Sequence, residues 1–96
     1  MVMAELSIFP VDRGESLSPY VARCVKIMEK RGIRFQLHPM GTVLEGEWEE
    51  VFSVIGDCFR ALAKDCDRVS VNIKVDYRKG NSFRMEEKVR SVREKL

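Results

Sequence analysis

Hydrophobic and polar residues alternate from the start of the chain. Val2, Ala4, Leu6 and Ile8 share one face, and Met3, Glu5, Ser7 and Phe9 share the other. A period of two marks a strand with one buried face, and Pro10 ends it. After a polar loop from Val11 to Leu17, Ser18-Pro19 reads as an N-cap followed by proline at the first helical position. Val21, Cys24, Val25 and Met28 then recur at helical spacing, which predicts a helix to about Arg31 with Gly32 as its stop.

The alternation resumes with Ile33, Phe35 and Leu37 set against Arg34, Gln36 and His38. Pro39-Met40-Gly41 is a turn, and Thr42 to Glu45 a short partner strand, so the pair predicts a hairpin. Glu47, Glu49 and Glu50 crowd the start of a second helix, where negative charge is favoured. Its predicted apolar stripe is Phe52, Ile55, Phe59 and Leu62, and it ends near Asp65. Gly56 in its middle suggests close packing there, since glycine costs about 1 kcal/mol relative to alanine inside a helix. Arg68 to Arg78 gives the clearest alternation, with Val69, Val71, Ile73, Val75 and Tyr77 on one side. A loop over Lys79–Ser82 leads to a last helix, about Met85 to Leu96, striped by Met85, Val89, Val92 and Leu96.

The order β-α-β-β-α-β-α predicts an α+β fold of the ferredoxin-like type. Its four-stranded antiparallel sheet carries two helices on one face, and one helix is added at the C-terminus. With 96 residues, the expectation is a single domain over residues 1–96. Hydrophobic residues at 45% and charged residues at 33% exclude a disordered chain. A net charge of +2 gives no reason to expect nucleic acid or an anionic membrane as partner. No apolar run is long enough to span a bilayer, and the N-terminal stretch lacks a basic region and contains Glu5. Cytoplasm is therefore the expected location.

Candidate chemistry is sparse. Cys24, Cys58 and Cys66 form no C-x-x-C pair, and His38 is the sole histidine, so no metal is expected. The cysteines read as small buried hydrophobes in a reducing compartment. Nothing assembles a nucleophile with a base, and the expectation is a protein that is not an enzyme and holds no cofactor. The face of the sheet left uncovered by two helices would carry Glu5, Ser7, Phe9, Gln36, His38, Glu45, Ser70, Asn72 and Lys74, with Met3 and Val43. Such a mixed face is either solvated, or a site where carboxylates, hydroxyls and an aromatic converge, or covered by another subunit. The segment from Arg78 onward holds seven basic and three acidic residues. Its helix either packs on its own domain or meets an acidic surface of a sister subunit, such as that around Glu47, Glu49 and Glu50.

Several strings then carry a resemblance: AELSIFPV, SLSPYVA, LHPMGTVLEG, DRVSVNIKVDYR and MEEKVRSV, in that order. Together they resemble the small thiamine-binding protein family, single-domain relatives of the YkoF-like proteins. The resemblance implies a ferredoxin-like subunit assembled into homotetramers, binding thiamine or a related pyrimidine without catalysis. Thiamine offers a cationic ring, an aminopyrimidine donor–acceptor edge and a hydroxyethyl tail. Glu5 or Glu45 can pair with the cation or accept from the amine. Ser7, Thr42 and Asn72 offer short neutral partners, Phe9 or Trp48 can stack, and His38 can donate or accept. The expected ligand-binding set is thus Glu5, Ser7, Phe9, His38, Thr42, Glu45 and Asn72. The rival reading is a regulatory or structural oligomer that holds no vitamin.

Overall fold

In the computed structural model, which describes residues 1–80 and 84–96, seven elements follow one another in the order expected. They are β1 (Val2–Pro10), α1 (Ser18–Arg31), β2 (Arg34–His38), β3 (Gly41–Gly46), α2 (Trp48–Ala63), β4 (Val69–Tyr77) and α3 (Met85–Arg93). The predicted Lys79–Ser82 loop falls partly outside the described residues. The strands form one antiparallel sheet in the order β2-β3-β1-β4, the ferredoxin-like arrangement. Val2, Ala4, Leu6 and Ile8 face the helices, together with Leu44 of β3 and Cys24, Met28, Val51, Val54, Cys58 and Leu62 of α1 and α2. Burying these side chains stabilises each by about 1.5–3 kcal/mol for the larger aliphatics, which is what holds the helices on this face.

Several boundaries differ from the sequence expectation for local reasons. Ser18 is the first residue of α1 rather than its cap; Leu17 holds that place and makes no side-chain cap bond. At the other end Gly32 takes φ 70°, the left-handed conformation, and its N–H donates to Glu29 O at 3.1 Å. The apolar stripe of α2 is rotated. Val51, Val54, Ile55, Cys58 and Leu62 are buried while Phe59 is exposed and Phe52 only half-buried. Both stripes satisfy helical spacing, and the tightly packed sheet accepts the smaller one. The helix itself stops at Ala63, two residues early, and α3 stops at Arg93, leaving Leu96 almost fully exposed.

Gly56 is not at a close approach of backbones. A Cβ there would meet only the guanidinium end of Arg60, at 3.2 Å, a flexible group that can shift. Gly56→Ala is therefore expected to stabilise the protein by about 0.5–1 kcal/mol through helix propensity. Chemical denaturation measures this; a loss of stability would mean that the Arg60–Asp57 pair needs the space glycine leaves.

Candidate functional site

The two central strands are unequal. β1 pairs with β4 along its whole length, Val2↔Tyr77 to Pro10↔Val69, but with β3 only from Val2↔Gly46 to Leu6↔Thr42. The hairpin turns back at Pro39-Met40, so among the described residues no strand lies beside Ser7 to Pro10 on that side. Gly41 makes the closing approach: a Cβ there would stand 2.9 Å from the Leu6 carbonyl oxygen, closer than side chains tolerate.

Ladder geometry fixes what faces this gap. The Arg78 N–H donates to Met1 O, and the Val11 N–H donates to Arg68 O. Odd-numbered residues of β1 therefore point their backbone groups at β4, and even-numbered ones point them at β3. Beyond Leu6, the Ile8 N–H and C=O are left aimed into the gap. Pro10 has no N–H to offer.

A cavity of about 320 Å³ occupies this place, between the end of β1, the hairpin turn and the first half of α1. Its wall is mostly apolar, from Leu6, Ile8, Leu17, Val21, Met28 and Leu37, with Cys24 and Met40. Ser7, Phe9, His38 and Thr42 bring the polar and aromatic groups. These are four of the seven residues named from sequence. Ser7, Phe9 and His38 reach the cavity from strands whose side chains there lie on the open face. Thr42 reaches it from the helix-covered face, in the row with Leu37 and Leu6.

The other three stand elsewhere. Asn72 is exposed on β4 opposite Ser7, and its Nδ2 donates to Ser70 Oγ at 3.4 Å. Glu5 is exposed on the open face between Val43 and Lys74, with no hydrogen bond or ion pair among the described residues. Its Cγ leans to within 3.9 Å of the Cβ position at Gly41, toward the cavity end of the sheet. Trp48 is also remote and stacks on Phe52, centroids 4.4 Å apart.

Glu45 shares the open face with Glu5 but lies in the row at the far end, Arg34–Glu45–Met3–Asp76. Only 2% exposed, it accepts from the backbone N–H groups of Arg84 and Met85, the latter at 3.1 Å, and from Arg34 Nε at 3.3 Å. It therefore caps the N-terminus of α3 from outside the helix, satisfying donors that have no partner within it. Arg84 and Lys88 both pair with Asp76, and Arg34 with Glu86, so the whole row holds the first turn of α3. Lys88 and Arg84 hold the Asp76 carboxyl below its ordinary value of 3.8. Val89 and Val92 further along α3 stay exposed.

Sequence reasoning named the polar half of the cavity and missed the apolar half contributed by α1 and the Ile8 backbone. The unequal lengths of the alternating runs that became β1 and β3 were the available signal.

Comparison with known proteins gives a consistent likeness. The family model described as thiamine-binding protein matches residues 4–93. The UPF0045 protein MJ1052 of Methanocaldococcus jannaschii is 33% identical over 93 residues, covering 97% of this chain and 93% of that one. The UPF0045 protein YqgV of Bacillus subtilis is 36% identical over 102 aligned positions, spanning 100% of this chain and 98% of the relative. The crystal structure of MJ1052 superimposes with a TM-score of 0.88, covering 97% of this chain and 96% of that one. A Thermotoga maritima structure, provisionally assigned to thiamine biosynthesis or salvage, superimposes with a TM-score of 0.81 over 95% of this chain and 97% of its own. At 24% identity that likeness is one of fold.

Replacing the cap tests the Glu45 assignment. Glu45→Ala is expected to cost about 1–2 kcal/mol and to release α3, because two backbone donors lose their acceptor, whereas Glu45→Gln keeps an acceptor and most of the docking. Hydrogen exchange should show α3 amides losing protection while β1 amides keep theirs. Because the Asp76 carboxyl is held low, its contribution is present above the ordinary carboxylate range. It is lost only as pH falls through the lowered value.

Proposed function

The chain belongs to the thiamine-binding protein family, and from that membership we propose that it is a non-catalytic binding protein. It holds thiamine or a related pyrimidine in the cavity beside the end of β1, within a homo-oligomer of single ferredoxin-like domains. The observation that carries this reading is the Ile8 edge at the gap, which has no partner strand on that side among the described residues. One N–H donor and one C=O acceptor stand side by side in a mostly apolar cavity, the complement of an aminopyrimidine with its ring nitrogen acceptor and exocyclic amine donor. Phe9, His38 and Met40 supply flat or polarisable surface for the ring, and Ser7 and Thr42 supply hydroxyls for the tail. The volume lies at the small end of ligand cavities, in keeping with one heterocycle rather than a dinucleotide.

Among the described residues no carboxylate lines the cavity. The counter-charge for the thiazolium is assigned to Glu5, which has no partner among the described residues and leans toward this end of the sheet. Glu45 is engaged by α3 and is assigned to holding that helix. The proposal of binding without turnover rests on the family and on a lining whose chemistry, among the described residues, is one imidazole, one thiol and two hydroxyls. Three free buried thiols favour a reducing compartment such as the cytoplasm. Among the described residues no helix is long and apolar enough to cross a membrane.

Self-association is favoured by two uncovered surfaces. β4 is an edge strand nine residues long, and Val71 and Ile73 on its helix side are exposed. Such an edge is a template for pairing with another strand, here that of a second copy. The exposed Val89 and Val92 of α3 add apolar surface, and the proposed assembly is a homotetramer.

Two experiments bear on these points. Calorimetric titration should give a saturable thiamine site. The 4-oxo analogue, in which the amine donor becomes an acceptor and the ring nitrogen a donor, should bind at least about tenfold more weakly. Glu5→Gln should weaken thiamine by several-fold, as expected for one partly solvated charge pair, and leave a neutral pyrimidine unaffected. Equal binding of both analogues would remove the Ile8 assignment, and no binding of either would favour the oligomer without a vitamin. For assembly, Ile73→Asp should lower the mass seen by light scattering by at least half while thermal stability of the subunit changes little. An unchanged mass would exclude the β4 edge as an interface.

A further inference from the structure

Cys24 on α1 and Cys58 on α2 meet across the seam between the two helices. Both are free thiols and almost wholly buried, at 2% and 0% exposure. The Cys58 thiol donates to the Cys24 carbonyl oxygen at 3.7 Å, which sets the Cys58 sulfur directly against Cys24 across the seam. Cys24 also lies in the wall of the cavity. One thiol can thus be reached from the cavity, with the second sealed directly behind it. The proposed ligand chemistry uses neither. A reachable thiol backed by a second thiol is the arrangement in which a sulfenic acid condenses to a disulfide rather than oxidising further.

We propose that Cys24 and Cys58 form a peroxide-oxidisable dithiol in the cavity wall, closing to a disulfide that ties α1 to α2. That the cavity's ligand shields this dithiol rests on the function proposed above. In the first step the Cys24 sulfur attacks one oxygen of hydrogen peroxide. An S–O bond forms as the O–O bond breaks, and the departing hydroxide leaves as water with the Cys24 proton. In the second, the Cys58 sulfur displaces hydroxide from the Cys24 sulfenic acid. An S–S bond forms, the S–O bond breaks, and the hydroxide takes the Cys58 proton as a second water. The two thiols lose two electrons and two hydrogens, and one peroxide is reduced to two waters.

The local electrostatics divide the roles in the same way. The hydrogen bond from Cys58 holds the Cys24 thiol below its ordinary value despite burial, with Arg23 acting in the same direction. The same contact and burial push the Cys58 thiol up. Cys66, which is also buried, lies beside Asp65 and serves as the internal control.

The test treats the full chain with a modest excess of hydrogen peroxide and reads intact mass, followed by alkylation of the denatured protein. The expected product is lighter by two hydrogens, alkylates at Cys66 alone, and yields a peptide linking Cys24 to Cys58. Cys24→Ser and Cys58→Ser should each abolish the mass loss, whereas Cys66→Ser should retain it. Saturating thiamine should slow the reaction by at least tenfold. Oxygen addition at Cys66 without loss of hydrogens, or a mass loss that survives in Cys58→Ser, overturns the dithiol. An unchanged rate in protein shown by calorimetry to be thiamine-saturated overturns the shielding. Disulfide formation in protein that binds no thiamine keeps the dithiol and removes the ligand reading instead.

Discussion

The site depends on a mismatch in strand length. β1 is anchored along its whole length by β4 but loses β3 after Leu6, because the hairpin must turn at Pro39-Met40 and Gly41 must pass against the Leu6 carbonyl. A central strand deprived of one neighbour leaves backbone donors and acceptors unpaired, which is costly when they are buried. In this fold the unpaired stretch is roofed by the first half of α1, so the gap becomes a cavity rather than an exposed edge. The cavity is therefore bordered by backbone polar groups as well as by mostly apolar side chains.

The open face of the sheet is divided by the same geometry. Its far row, Arg34–Glu45–Met3–Asp76, binds the first turn of α3 through backbone donors and three ion pairs. Its near row, with His38, Gly41 and Ser7, borders the cavity. Glu5 lies between them, exposed and unpaired among the described residues. Two glutamates that are equivalent by strand parity thus have different environments. One is stripped of water and compensated by the Arg84 and Met85 backbone N–H groups and the Arg34 guanidinium, as a buried carboxylate must be. The other stays exposed to solvent. The α1–α2 seam ties the cavity to the helical layer as well, since Cys24 contributes to both.

Much of this was legible in the chain alone. Period-two and period-four patterns located all seven elements, because one buried face of each strand and helix must be apolar whatever lies against it. They also placed Ser7, Phe9 and His38 on the face opposite the core, and the run of local strings pointed to the family. Details that depend on a neighbour were not legible. Phe52 and Phe59 fit the helical period of α2 as well as Val51 and Cys58 do, and only the space above the sheet selects the smaller set. That Thr42 stands beside Leu6 rests on the β1–β3 register, a relation between residues 36 apart in the chain.

The sequence by itself determined the ferredoxin-like fold, the core face of every strand and the polar half of the cavity, since each follows from residue type and spacing within one element. Tertiary structure alone decided that Glu45 caps α3, that the Ile8 backbone faces a gap where β3 pairing has ended, and that Cys24 and Cys58 touch. Each of these joins groups from different elements, and hydrogen bonds and sulfur contacts act over a few ångströms. Local spacing cannot encode them; strand register and helix packing can.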